Sequence, residues 1–235
     1  MNDECCTARA TLLAARWHSF GAIVLATAIG VGGRILMTHR SAEAVQGLGR
    51  AQIYLAALAI ECLYFLYARW GARRGVWNVR QILDESRLSP RRWGVYAATA
   101  IGAGLVWMAC GSVLGLVLRP TPDEVRALMG LLPQGPAEKG LWVLLSMSAG
   151  GCEELFYRGY LQRQLCRLTG SLPAAIVLQA VVYGVAHAAL PWKIVVMVVC
   201  LGVFFGALAA WRKSLIPTML LHAGFDILGG LMARG

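Results

Sequence analysis

The stretch LWVLLSMSAGGCEELFYRGY, residues 141–160, decides how the whole chain is read. Leu141 to Cys152 carries no charge, and Glu153, Glu154 and Arg158 then follow among apolar and aromatic residues. Such a run needs a protein core or a bilayer around it, and the composition of the full chain chooses between the two. Of 235 residues, 58% are apolar and 14% charged, with a mean hydropathy of +0.60. A soluble domain carries about 25% charged residues, so this chain has too little polar surface to face water. Disorder and a disulfide-stapled secreted domain are excluded on the same grounds. What remains is a polytopic membrane protein.

A membrane-spanning helix needs about 20 mainly apolar residues. Seven segments qualify: Phe20–Met37, Ala51–Tyr67, Trp93–Leu118, one from Leu141 past Tyr160, Leu172–Leu190, Ile194–Ala210 and Leu215–Met232. Trp17, Trp70, Trp93, Trp142, Trp192 and Trp211 fall at or near their ends, where indole rings favour the headgroup layer. The expected fold class is therefore all-α, a polytopic membrane bundle of about seven transmembrane helices in a single domain over residues 1–235. Arg9 and Arg16 before the first apolar run imitate a signal peptide. That run contains Arg34 and no small-residue cleavage site follows it, so it reads as a retained helix.

The net charge of +10 does not mark a nucleic-acid binder, because the basic residues lie between apolar runs and not along one stripe. With seven helices, fourteen Lys and Arg fall on the side of the N-terminus and eight on the other. The excess orients the N-terminus to the cytoplasm. Gly71–Arg92 is then a polar cytoplasmic loop near anionic lipid, with Val79–Ser86 as a helix-like stretch on the membrane surface. Cys5, Cys6, Cys62, Cys110, Cys152, Cys166 and Cys200 are odd in number and form no C-x-x-C pair, so they read as buried thiols.

Ionisable groups in hydrocarbon cost about 2.5–3.5 kcal/mol each and usually face a protein interior or a wet cavity. Glu154 and Arg158 stand four apart, on one helical face, and form an expected ion pair. Glu153 is rotated about 100° from Glu154 in an α-helix and must find a partner elsewhere. Tyr183 and His187, and likewise His222 and Asp226, are also pairs at a spacing of four. Glu153, His187 and His222 in one cavity would suit hydrolysis, a carboxylate taking a proton from a water that a neutral imidazole orders. Spacing alone leaves a proton path or a metal site equally open. Glu61 is the expected partner of Arg34, although their depths differ by about 10–12 Å at 1.5 Å per residue. A role for Glu61 at the substrate is the weaker alternative.

Taken together, E-E-x-x-x-R at Glu153-Glu154-Arg158, aromatic-x-x-x-H at Tyr183-His187 and H-x-x-x-D at His222-Asp226 resemble the CPBP family. These are the CAAX-processing and bacteriocin-processing intramembrane proteases, which include the type II CAAX prenyl endopeptidases. The resemblance covers residues 141–228, the expected catalytic core helices. It implies a water-filled polar chamber within the membrane. In it Glu153 would be the general base, with His187 holding the water, Glu154 and Arg158 bracing the helix, and His222 and Asp226 stabilising the oxyanion or placing the substrate. Tyr183 replaces the usual Phe and Asp226 a common Asn. An ionised Asp cannot donate to an oxyanion, so Asp226 has another task or carries a proton.

The resemblance favours a metal-free mechanism, since the chain lacks H-E-x-x-H; the alternative is Zn2+ held by Glu153, His187 and His222. The expected function is an intramembrane endopeptidase acting on a membrane-anchored protein or peptide, at a CAAX end, a leader or a C-terminal sorting anchor. The bilayer and that substrate are its expected partners, with no nucleic acid. Richness in Ala, Gly and Arg reads as bacterial, which places the chain in a plasma (inner) membrane. Two readings compete: a non-catalytic bacteriocin-immunity or scaffold protein of the same fold, and a small transporter using Glu61, Glu153 and the histidines. The visible lack of an internal repeat weighs against the transporter.

Overall fold

Proline, glycine and hydroxyl side chains mark where the helices start and stop. In the computed structural model, which describes residues 14–39, 49–73 and 90–232, every regular element is helical. The order is α1 (Arg16–His39), α2 (Arg50–Arg73), α3 (Pro90–Leu118), a short α4 (Pro122–Met129) and α5 (Pro136–Glu153). A π-helical segment, Glu154–Leu161, carries α5 directly into α6 (Gln162–Thr169). Three more helices follow, α7 (Leu172–Ala186), α8 (Trp192–Arg212) and α9 (Ile216–Met232).

Thr121 caps α4 in a reciprocal box: its hydroxyl accepts from the Glu124 N–H at 3.2 Å, and the Glu124 carboxylate accepts from the Thr121 N–H at 2.7 Å. Gly170 ends α6 in the left-handed conformation, φ 68°, where a side chain would be strained. Ser171 then caps α7 by accepting from the Ala174 N–H at 3.3 Å.

By length and composition, Arg16–Leu36, Arg50–Gly71, Arg92–Leu118 and Trp192–Arg212 can each cross a bilayer. The Leu172–Ala186 and Ile216–Met232 helices are apolar but shorter. The stretch expected as a fourth span is the composite α5–π–α6 rod. The fifth expected segment ran to Leu190, but α7 stops at Ala186, and the His187, Ala188 and Leu190 N–H groups close tight turns onto Gly184, Val185 and His187. Pro191 bars the helix from running on into the next, because it has no N–H to offer His187 O and pushes Leu190 out of the α region. Of the basic segment Gly71–Arg92, the ends belong to α2 and α3, and Val79–Ser86 lies outside the described residues. The thiols also depart from expectation: Cys62 and Cys110 are exposed, and Cys166 is disulfide-bonded.

The core sits around the π segment, all eight residues of which are buried. Tyr64 of α2, Tyr183 of α7 and Phe205 of α8 pack about it from three sides. α3 lies at the edge, and Ile101, Leu105, Met108, Val113, Leu116 and Val117 are exposed as lipid-facing side chains. Lipid tails are as apolar as leucine, so helices in a bilayer associate through close packing and hydrogen bonds. Small residues supply the first: Gly30 of α1 meets the Val185 carbonyl, Gly202 meets Ala180, and Gly150 of α5 meets Ala223 and the Met219 carbonyl of α9. Buried amides supply the second, with Gln162 Nε2 donating to Gly206 O at 3.1 Å and Gln179 Nε2 to Gly202 O at 2.9 Å.

The α5–α9 contact gives a direct test. A Cβ on Gly150 would fall 2.8 Å from both Ala223 Cβ and Met219 O, whereas a Cβ on Gly229 meets nothing within 4 Å. Gly150→Val should destabilise by about 1–3 kcal/mol, the usual cost of overpacking, and Gly229→Ala should leave the melting temperature in detergent unchanged or raised. Equal melting temperatures for the two variants would contradict this packing.

Candidate active site

The site forms where α5 becomes π-helical. In the π segment the hydrogen bonds run from residue i to i+5, as the Gln162 N–H shows by donating to Tyr157 O. The change of hydrogen-bond pattern falls between Glu153 and Glu154, both of which keep right-handed α dihedrals. Both glutamates are buried, Glu154 fully and Glu153 to 7% exposure.

Glu154 and Arg158 form the expected pair. Arg158 Nη1 donates to Glu154 Oε1 at 2.8 Å, and neither side chain has any exposed surface. The guanidinium lies over the Tyr183 ring, 4.4 Å from its centre, and 5.3 Å from that of Phe205. Two aromatic faces thus take the place of water around the cation. Tyr183 is the wall of this charge box.

Glu154 has a second task that the spacing of the motifs does not reveal. Its Oε1 accepts from His222 Nδ1 at 3.0 Å, joining the π segment to α9. An ionised carboxylate only accepts, so Nδ1 carries a proton and Nε2 is turned away from Glu154. That Nε2 stands 3.8 Å from Glu153 Oε2 and 3.6 Å from Asp226 Oδ2. Asp226 lies one turn beyond His222, as its spacing predicts, and its backbone carbonyl accepts from Trp142 Nε1 at 2.6 Å. The indole therefore pins the outer part of α9 against α5.

His187 stands at the C-terminal end of α7, not inside a helix. Its Nδ1 donates to Tyr183 O at 2.9 Å, which leaves Nε2 as the acceptor. Its ring meets Tyr183 edge-on at 4.7 Å, and it is close enough to Asp226 for electrostatic interaction. Glu153, Glu154, His222 and Asp226 are thus in mutual contact, and His187 joins them across Tyr183 and Asp226.

Glu61 completes the cluster from α2. It is 4% exposed and lies close enough to Glu153 for electrostatic interaction. The expected pair with Arg34 is not formed, since Arg34 Nη1 reaches the Leu190 carbonyl at 3.5 Å. The large difference in depth was the signal against that pair. One turn on from Glu61, the Tyr64 hydroxyl accepts from Tyr157 OH at 3.0 Å. As for a metal, among the described residues no group of three or more His, Cys, Asp or Glu side chains is gathered closely enough to hold one, and the set Glu153, His187 and His222 is no exception.

A buried carboxylate beside two imidazoles whose Nδ1 atoms are already engaged can order a water and take its proton. Residues 136–228, spanning α5 to most of α9, match the family model described as type II CAAX prenyl endopeptidase Rce1-like. The chain matches no curated protein and no solved structure. Every group of the polar cluster except Glu61 lies within the matched stretch, which is similar to that endopeptidase domain and consistent with an intramembrane protease of the CPBP family.

Proposed function

We propose that the protein hydrolyses a peptide bond of a membrane-anchored protein or peptide, with Glu153 as the general base and no metal. One observation carries this reading. Arg158 is committed to Glu154, and no Arg or Lys among the described residues pairs with Glu153, which faces His222 Nε2 at 3.8 Å. A water in that space can be held by an imidazole and deprotonated by the carboxylate. The resulting hydroxide forms a C–O bond to the scissile carbonyl, whose π electrons move onto oxygen. Collapse of that oxyanion breaks the C–N bond, and the proton held by Glu153 passes to the departing amine. His187 orders the water, and a proton on His222 Nε2, held within reach of Asp226, faces the developing charge. Glu154 and Arg158 hold the helix and the His222 ring.

The substrate class follows from the site's setting within apolar helices. A groove of about 510 Å³ between α3 and α8, walled by Ala103, Val106, Phe204 and Leu208, is of a size to take a hydrocarbon chain. It suits a substrate that arrives through the bilayer on a lipid or a hydrophobic anchor. The N-terminus is cytoplasmic on the balance of basic residues, and the membrane is a bacterial plasma membrane on composition.

Cleavage of a prenylated CAAX peptide and of a peptide with a hydrophobic C-terminal anchor, each by purified protein in liposomes, tests the reading. Glu153→Ala and Glu153→Gln should lower kcat by on the order of 10²–10⁴-fold, the usual contribution of a general base. Wild-type rates in both variants would reject Glu153 as the base. Wild type that binds a peptide without cutting it would replace the enzyme by a scaffold.

A zinc chelator separates the two chemistries. Activity should survive dialysis against it. Loss with recovery on adding zinc would overturn the metal-free mechanism.

A further inference from the structure

The groove between α3 and α8 is apolar along its length and basic at one end. Trp107 of α3 meets Phe204 of α8 with 5.5 Å between ring centres, and Ala100 packs with Leu208. The two helices therefore run antiparallel, which brings the start of α3 beside the end of α8. From Ala98 to Val106, and from Phe204 to Trp211, the groove runs about 11–12 Å at 1.5 Å per residue. That is most of one leaflet, whose hydrocarbon is about 15 Å deep. The one hydroxyl in its wall, on Thr99, donates within its own helix to Val95 O at 2.7 Å. A Cβ on Gly102 would meet nothing within 4 Å, so that part of the wall is open.

Trp211, Arg212 and Lys213 close α8 at the basic end. Trp211 belongs to the wall and is 70% exposed. The Arg212 guanidinium lies 5.2 Å from the centre of that indole, and its Nε is buried with no hydrogen-bond partner among the described residues. Lys213 is exposed, and neither cation has an ion pair among the described residues. Lys213 also holds a left-handed backbone, φ 52°, at a helix end where glycine is ordinarily favoured. A lysine there strains the chain, and it sets a second cation beside Arg212.

We propose that this groove holds one acyl chain of an anionic phospholipid, with the phosphate on Arg212 and Lys213. The chain lies in hydrocarbon, the indole at the headgroup level, and the phosphate accepts charge-assisted hydrogen bonds from the two cations. A partner helix suits the groove less well: it needs a seam across the whole bilayer, and it brings no counter-charge to the cations. The inference goes beyond the peptidase reading and does not depend on it; a substrate's chain entering the same groove displaces the lipid.

Native mass spectrometry of the full chain in detergent, with phosphatidylglycerol or phosphatidylcholine of identical chains added, tests this. Wild type should bind phosphatidylglycerol about 25-fold more tightly, about 5-fold from each cation. Arg212→Gln combined with Lys213→Gly should bind the two lipids equally. Gly102→Leu, which fills the groove where there is room, should weaken both by about 10-fold. Lys213→Gly alone relieves the left-handed strain, so its melting temperature without lipid should rise while its phosphatidylglycerol affinity falls about 5-fold. That loss of binding then has no origin in unfolding. Equal binding of the two lipids by wild type, or a preference that survives the double variant, would overturn the proposal. So would undiminished binding by Gly102→Leu, or a wild-type dimer that Gly102→Leu splits, which puts a second copy of the chain in the groove.

Discussion

The buried ion pair between Glu154 and Arg158 constrains everything around it. Both charges are out of reach of water, and neither can be left alone there. Removing one partner of such a pair typically costs about 3–5 kcal/mol, because the other remains as an uncompensated buried charge. Among the described residues the pair takes up the one Arg or Lys of the cluster, which leaves Glu153 without such a partner. Glu154 also accepts from His222 Nδ1, so the ion pair sets the imidazole orientation and aims Nε2 toward Glu153. The aromatic rings of Tyr183 and Phe205 close the guanidinium off, and Tyr183 in turn supplies the carbonyl that holds His187. A single charge box thereby orients both histidines.

The helices around this box come together with little help from hydrophobic burial, since the bilayer is as apolar as they are. Glycine supplies the approach where side chains would keep backbones apart. At Gly150 the α5 and α9 backbones come close enough for Glu154 to reach His222 one turn further along. At Gly202 and Gly206 the α7–α8 pair admits glutamine amides that satisfy backbone carbonyls. The π segment adds a turn wider than an α-helix just where the paired glutamates stand, a feature often found at functional sites. Packing and chemistry thus depend on the same few residues.

Motifs at a spacing of four were easy to read because a helix places such residues together whatever surrounds it. Glu154 with Arg158, and His222 with Asp226, are close in space for that local reason. Tyr183 and His187 obey the same rule in a different way: the imidazole meets the tyrosine ring and its carbonyl, although the helix has ended at Ala186. The contacts that were not read are all between helices. Glu61 with Glu153 and His222 with Glu154 are separated by 92 and 68 positions, and Arg34 finds a carbonyl at the end of α7 instead of a carboxylate. No local periodicity records such pairings, since they follow from which helix lies beside which.

Hydrophobicity and helical period along the chain were therefore enough for an all-helical membrane protein with polar groups stacked on the faces of its last helices. Both are properties of neighbours within one turn or one span, and they survive any arrangement of the helices. The identity of the partners across the bundle, the orientation of His222, the end of α7 before His187 and the meeting of two glutamates from opposite halves of the chain arose only on assembly. Burial makes each polar group accept the partner that packing delivers, and that delivery is a property of the three-dimensional bundle.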